Sequence, residues 1–400
     1  MKRLLIDHND ETKTTLTAVM ADGRLKEVYV NRAGGSQIGL VALGVVRSVL
    51  PSKFVFIDVG GGKNAFMNTD GDSRHYKEGR TLLVQVQKDA TGTKGPAVSE
   101  TVNINGRLAI VYCQNGKQIP AAGVSQKIVS KTERKRLRGI AEKYLPEGFG
   151  AVMRTNSEGH AEDEIAAEIE RLVQIHRQIK KQVETEKAPA VLYRENPLLN
   201  DILSEDVAEI ITCGSVYDSI KSSVAALAPE LAERVIRHEN AAGKNVVGLF
   251  EAYGASLQLE LALKRRVSLP CGGFVFIEQT EACVIVDVNT GKFPGRHGLR
   301  ETVLQTNLEA AKIIAEQIAL RNLSGMIVVD FIDMHETEDK QSLVRFFSDE
   351  LKKDRIKTSI IGMTELGLMQ VTRKKTREPL SRLLECDCPH CKGTGRIRIE

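Results

Sequence analysis

The spacing of apolar positions changes several times along the chain, and each change marks a different kind of element. Residues 3–6 and 25–30 read as strands separated by a polar stretch, with Ala21-Asp22-Gly23 as the turn. After Gly34-Gly35, short apolar runs recur at 39–48, 53–59, 64–67, 81–88 and 97–105. They are divided by Gly60-Gly61-Gly62, Asp70-Gly71-Asp72 and Thr91-Gly92-Thr93-Lys94-Gly95. Five strands in so short a stretch predict a small β-barrel of OB type. The texture then becomes α/β. Residues 108–112 and 150–154 read as strands, and 132–144 and 161–184 as helices, the second with Ile165, Ile169, Leu172, Ile175 and Ile179 on one stripe. Pro189 and Pro197 punctuate a linker, a strand at 210–212 precedes helical segments broken by Pro229, and 257–263 is helical. No internal repeat and no low-complexity tract interrupts this order.

The last third carries the most informative pattern. After Gly272-Gly273 opens a further strand, two apolar runs each end on aspartate: Cys283-Val284-Ile285-Val286-Asp287-Val288-Asn289 and Met326-Ile327-Val328-Val329-Asp330-Phe331-Ile332-Asp333. Nearly continuous β-branched runs read as buried strands with both faces covered. Between them Leu304, Leu308, Ala311, Ala315 and Ile318 repeat at steps of three and four, which makes one helical stripe. In such a strand, helix, strand unit, parallel neighbours would deliver Asp287 and Asp330 together at the carboxyl end of the sheet. Two carboxylates brought that close repel unless a cation or a proton lies between them, which points to Mg²⁺. An aspartate after a strand also serves as a simple turn or helix cap. Asn289 and Asp333 stand close by in sequence, and Asp333, three residues past Asp330 on an extended strand, would point to the opposite face and support the site from behind.

Composition narrows the class. The chain has 400 residues, 42% of them hydrophobic, enough for two or more domains. Its start has no signal-peptide pattern and no apolar run reaches membrane-spanning length, so a cytoplasmic protein is expected. The net charge of +4 does not mark a nucleic-acid binder. Two local clusters lean that way: six basic residues from Lys127 to Arg138, and Arg373, Lys374, Lys375 and Arg377, each of which also suits a solvated helix face. Of seven cysteines, Cys113, Cys213, Cys271 and Cys283 are scattered as core thiols are. Cys388-Pro-His-Cys391-Lys-Gly393-Thr-Gly395 is instead a CxxC knuckle whose following turn can aim amides at sulfur, a zinc-binding pattern. One knuckle supplies two ligands; Cys386, His390 or a second chain would complete four.

Gly60-Gly61-Gly62-Lys63 fails as a phosphate-binding loop, because Ile57 and Asn64 stand where that motif needs glycine and Ser/Thr. As a hairpin turn it places Phe56 and Phe66 on flanking strands. There they either fill the barrel core or stack unpaired bases, with Lys94 in reach of a phosphate backbone.

Taken in order, these pieces resemble the ribonuclease E/G family over essentially the whole chain. Phe56-Ile-Asp-Val-Gly60 through Ala65-Phe66 is similar to that family's S1 RNA-binding barrel and Thr93-Lys94-Gly95 to its loop. Val286-Asp287-Val-Asn289 and Val329-Asp330-Phe-Ile-Asp333-Met334 resemble its catalytic strands, and Cys388 to Gly395 its zinc link. The resemblance implies a multidomain α/β fold: an RNase H-like subdomain (1–34 and 200–264) split by an S1 barrel (35–105) and a 5′-sensor region (106–199), then a DNase I-like catalytic subdomain (265–384) and a zinc link (385–400). It implies a Mg²⁺-dependent endoribonuclease acting on single-stranded RNA in RNA processing and decay, leaving 5′-phosphate and 3′-hydroxyl ends. Asp287 and Asp330 would chelate Mg²⁺ and Asn289 would orient Asp287 or the scissile phosphate. Phe56, Phe66 and Lys94 would hold RNA. Gly106, Ile110, Arg154 and Thr155 would form a pocket for a 5′-monophosphate. Cys388 and Cys391 would bind Zn²⁺ shared between the chains of a homodimer.

The chain departs from the family pattern in places. Gln126 stands where an arginine is often found, and Lys357 replaces another, which changes the wiring of phosphate sensing because lysine lacks the bidentate fork. Cys386 adds a third thiol beside the usual pair. The sequence closes at Glu400, without the tetramerising domain of larger relatives, so a dimer is the expected limit. Two other functions compete: an RNA-binding or scaffold protein whose aspartates are structural, and metal-dependent DNA cleavage.

Overall fold

The polar stretch between the first two expected strands is itself a strand. In the computed structural model β1 (Lys2–Asn9) pairs antiparallel with β2 (Thr14–Ala21), which lies between β1 and β3 (Arg24–Arg32). Threonines disguised β2: Thr14, Thr15 and Thr17 look polar by composition, yet they are β-branched and suit a pleated surface. Thr17, Ala18, Val19 and Met20 are all buried. The structure describes residues 1–32, 37–50, 53–69, 75–90, 94–114, 122–194, 207–238, 247–291, 299–391, 393 and 395. The Gly34-Gly35 break, the turns expected at 70–72 and 91–93, Pro197, and Lys392 and Thr394 of the knuckle lie outside the described residues.

The described chain divides into two compact units, 31–207 with 218–235, and 1–30 with 208–217 and 236–400. The first contains the expected barrel. Strands β4 (Val41–Val49), β5 (Phe54–Asp58), β6 (Ala65–Asn68), β7 (Thr81–Lys88) and β8 (Ala97–Ser99) run in the order β4-β5-β6-β8-β7, and antiparallel β4–β7 pairing closes the ring. Val46, Val55, Ile57, Ala65, Val84 and Val98 fill it.

The run 97–105, expected as one strand, breaks at Glu100. Its second half, β9 (Thr101–Asn105), joins β10 (Ala109–Gln114), β11 (Ala122–Val124) and β12 (Phe149–Met153) in another sheet, ordered β11-β12-β10-β9. Helices Lys131–Tyr144 and Glu162–Thr185 share a core with that sheet through Leu137, Ile140, Ile165, Ile169 and Leu172. The expected linker at 189–197 is a strand in part: β13 (Ala190–Tyr193) pairs antiparallel with β4, directly after Pro189. A proline at a strand's start costs no ladder hydrogen bond, so it did not exclude one.

In the second unit β14 (Glu209–Thr212) pairs parallel with β1, and with β15 (Val235–Arg237) makes the sheet β15-β14-β1-β2-β3. Six further strands follow: β16 (Arg266–Ser268), β17 (Phe274–Gln279), β18 (Val284–Asn289), β19 (Gly325–Asp330), β20 (Thr358–Met363) and β21 (Leu368–Arg373), in the order β16-β17-β18-β19-β21-β20. Helices Leu299–Leu320 and Thr337–Leu351 cover one face, packing Ala311, Ile314, Ile318, Leu343 and Phe347 on Val286 and Val329.

The runs that read as covered on both faces are covered on one. Burial alternates along β18 and β19, with Val284, Val286, Val288, Ile327 and Val329 inward and Ile285, Asp287, Met326 and Asp330 outward. Continuous β-branched sequence therefore reports strand here and not layer count.

The second basic cluster is also no surface patch as a whole. Arg373 is 2% exposed; its Nε donates to Asp354 Oδ2 at 2.6 Å, and its Nη1 donates to Asn322 Oδ1 and the Leu323 carbonyl. Arg377 lies over the Tyr29 ring at 4.0 Å and pairs with Glu27 at 3.2 Å. No described helix is long and apolar enough to cross a membrane. Replacing Arg373 by Leu strands the Asp354 carboxylate and should destabilise the protein by about 3–5 kcal/mol, read as a fall in urea midpoint at unchanged slope.

Candidate active site

Backbone pairing alone brings the two aspartates together. Strands β18 and β19 are parallel neighbours, and their register sets Val284 opposite Ile327, Val286 opposite Val329 and Asp287 opposite Asp330. Because side chains alternate along a strand, burying the valines sends both carboxylates to the open face at the strand ends. Asn289 follows on the same face, and its Nδ2 donates to Asp287 Oδ2 at 2.7 Å. That bond restrains the rotation of the Asp287 carboxylate and leaves its other oxygen outside this bond.

The Asp330 carboxyl is held above the ordinary carboxylate range. Partial burial is the first cause; the charges of Asp287 and then Asp333 add to it. The charge of Asp333 thus reaches Asp330, and strand alternation does not place its side chain. β19 ends at Asp330, and residues 331–336 have no strand geometry through which alternation could be counted.

What shapes that segment is Asn307 on the Leu299–Leu320 helix. Fully buried, it donates Nδ2 to the Ile332 carbonyl at 2.8 Å and accepts from the Ile332 amide at 3.0 Å through Oδ1. The amide stands in for a strand neighbour and anchors the chain between Asp330 and Asp333. Sequence reasoning missed it, although an asparagine within an apolar helix calls for such partners.

The donor set at Asp287 and Asp330 is two mutually repelling carboxylates, which fits a hard divalent cation with water filling the remaining positions. Among the described residues no group of three or more His, Cys, Asp or Glu side chains gathers as a metal cage.

In the cysteine knuckle, backbone amides approach sulfur. The Gly395 amide donates to Cys391 Sγ at 3.3 Å. The amides of Cys391 and His390 hold the Cys388 thiol below its usual range, which favours the thiolate that binds metal. Cys386 is exposed and, among the described residues, joins no three-donor group.

In the barrel, Phe56 and Phe66 are cross-strand partners on β5 and β6. The core reading of these rings is overturned. Val55, Ile57, Ala65 and Met67 point inward, while Phe56 and Phe66 lie half-buried on the outer side. Phe54, which the sequence reading passed over, is 38% exposed and meets Phe66 edge-on at 6.3 Å between centroids. A Cβ on Gly95 would come within 1.9 Å of the Asn64 carbonyl oxygen, so only glycine lets the segment after Lys94 lie against the strand that carries Phe66.

Gly106, Ile110 and Arg154 also converge. Gly106 closes the turn between β9 and β10 by donating its amide to the Ala109 carbonyl at 2.8 Å, and Arg154 Nη1 donates to the Gly106 carbonyl at 2.7 Å. Ile110 pairs with Val152, two residues before Arg154. Thr155 is exposed, with its hydroxyl 3.0 Å from that of Ser125. Glu168 is a further residue missed in sequence. Nearly buried, its Oε1 accepts from the amides of Leu108 and Ala109 at 2.6 and 2.9 Å, and burial pushes its carboxyl up. It sits where a side chain on Gly106 would go.

Comparison with known proteins gives a consistent result. The model of the ribonuclease E/G family matches residues 103–376. Ribonuclease G of Haemophilus influenzae is 33% identical over 411 residues, covering 96% of this chain and 82% of that protein. Ribonuclease G of Escherichia coli is 31% identical over 411 residues with the same coverage. Ribonuclease E of Nostoc is 34% identical over 403 residues, covering 95% of this chain and 57% of that longer protein.

Proposed function

This chain belongs to the ribonuclease E/G family, and from that premise we propose that it is a Mg²⁺-dependent endoribonuclease that hydrolyses single-stranded RNA in RNA processing and decay. The observation that carries the reading is the register of Asp287 against Asp330, with Asn289 bonded to Asp287. The proposed products have 5′-phosphate and 3′-hydroxyl ends. The bound ion would supply an activated water and neutralise charge on the phosphoryl oxygens. Asp287 and Asp330 hold the ion in this scheme, and the Asn289 amide keeps Asp287 in one orientation. Asn307, through Ile332, keeps Asp330 and Asp333 at the site. Asp333 raises the charge density there and so the demand for a cation.

The remaining assignments are part of the same proposal. Phe56, Phe66 and Lys94 on the S1 barrel bind a further stretch of RNA. Gly106, Ile110, Arg154 and Thr155 receive a 5′-monophosphate, with Arg154 oriented by its bond to Gly106 and Glu168 bracing the turn. The sheet β15-β14-β1-β2-β3 is the RNase H-like subdomain and β16 to β21 the DNase I-like one. Cys388 and Cys391 supply half of a zinc site that a second copy completes.

Asp287→Asn or Asp330→Asn should lower cleavage of a labelled single-stranded RNA by about a thousandfold or more while leaving RNA affinity within a few-fold; cleavage retained by both variants, or persisting in EDTA, excludes this mechanism. Since the metal-free Asp330 carboxyl keeps its proton to higher pH than an ordinary aspartate, proton and Mg²⁺ should compete there, so that at subsaturating Mg²⁺ cleavage falls on acidification and added Mg²⁺ restores it. A 5′-monophosphorylated RNA should be cut faster than its 5′-hydroxyl twin, and Arg154→Ala should remove most of that difference, seen by comparing initial rates on the two. Native mass spectrometry should find one zinc per two chains; one per chain would assign Cys386 a ligand's role.

A further inference from the structure

The row of residues that crosses the catalytic sheet at Asp287 does not stop at the carboxylates. On β17, Phe276 is the direct cross-strand partner of Asp287, and on β16 Arg266 is the partner of Phe276. The sequence of side chains across one face is therefore Arg266, Phe276, Asp287, Asp330. With strands about 4.8 Å apart, the aromatic ring stands one strand from the acidic pair and the guanidinium two. One step along, Phe274 is opposite Asn289, the residue that holds Asp287.

These aromatics are arranged and accessible. Phe274 and Phe276 meet edge-to-face, with centroids 5.4 Å apart and ring planes at 79°. The exposed Arg266 guanidinium lies 4.2 Å from the centroid of Phe274. Phe276 is 37% exposed, and Ile285, two residues before Asp287 on the adjacent strand and the same face, is 45% exposed. Large apolar side chains left open beside two carboxylates are costly unless something apolar covers them. The occupant must also tolerate, or need, the divalent ion that the carboxylates call for.

A nucleotide meets both demands, since its base is a flat apolar surface and its phosphate is the group on which the ion would act. Arg266 answers a second phosphate. We propose that Phe276, supported by Phe274 and Arg266, forms a stacking platform for the nucleobase flanking the scissile phosphate and so sets which nucleotides are accepted beside the cut. The proposal rests on the endoribonuclease reading of Asp287 and Asp330. It concerns residues distinct from the barrel aromatics Phe56 and Phe66.

The test is a positional abasic scan. A 5′-labelled single-stranded RNA with one cut site is made with a single abasic residue at each of the three positions on either side of the cut. Single-turnover rates with Mg²⁺ are then compared for wild type, Phe276→Leu and Phe274→Leu/Phe276→Leu. Leucine keeps the apolar bulk, and a thermal melt checks that each variant folds. In the wild type one position adjacent to the cut should lose about tenfold in rate when abasic, within the contribution of a base–aromatic stack. The variants should cleave that abasic substrate and the parent RNA at nearly equal rates while responding as wild type at the other positions. An unchanged abasic profile in both variants overturns the platform. Conversion of a dimer to monomer by Phe276→Asp in sedimentation, with the profile intact in the leucine variants, also overturns it and makes this face a contact between copies. Failure of the underlying function is read separately: the unmodified RNA would be uncut by wild type, or still cut by Asp287→Asn.

Discussion

The pairing of β18 with β19 is the constraint on which the rest of this structure turns. Parallel strands cannot be joined by a hairpin, so the chain between them must cross over, and the Leu299–Leu320 helix makes that crossing. Its apolar stripe packs on the inward valines of both strands, which fixes the register. A slip of one residue would bury the carboxylates and expose the valines, so the core energetics and the position of the acidic pair are one specification. The repulsion between Asp287 and Asp330 is thus held in place by hydrophobic burial on the far side of the sheet.

Several neighbouring features follow from that constraint. Asn289 falls on the carboxylate face because it is two residues past Asp287. Phe276 and Arg266 fall there because β17 and β16 continue the same row. Asn307 reaches Ile332 because the crossing helix lies under the end of β19. None of these side chains is adjacent to Asp330 in sequence, yet each is placed by the same sheet.

Much of this could be read from the chain. The barrel strands, the two helices of the 106–200 region, the crossover and the parity of Asp287 with Asp330 all follow from apolar spacing, because long periodic segments bury one face. The readings that failed did so for definable reasons. β2 was hidden by threonine hydroxyls, and β13 by the proline that precedes it. The two-sided burial of β18 and β19 was wrong because β-branched composition does not count layers. Asp333 could not be placed by strand alternation because the strand ends at Asp330. Glu168, Asn307 and Phe276 were missed for a common cause: each acts through a partner distant in sequence, and only the folded register reveals such partners. The family resemblance suggested what spacing could not, namely the roles proposed for Gly106 and Arg154, which look like ordinary turn and strand-end residues in isolation.

The central claim is that Asp287 and Asp330 jointly hold one divalent cation. It can be measured without substrate by titrating the purified protein with Mn²⁺ and counting bound ions by electron paramagnetic resonance. The account predicts one Mn²⁺ per chain that Mg²⁺ displaces, lost in both Asp287→Asn and Asp330→Asn and retained when Cys388 is replaced by Ser. Equal Mn²⁺ binding by wild type and by the two aspartate variants would contradict it.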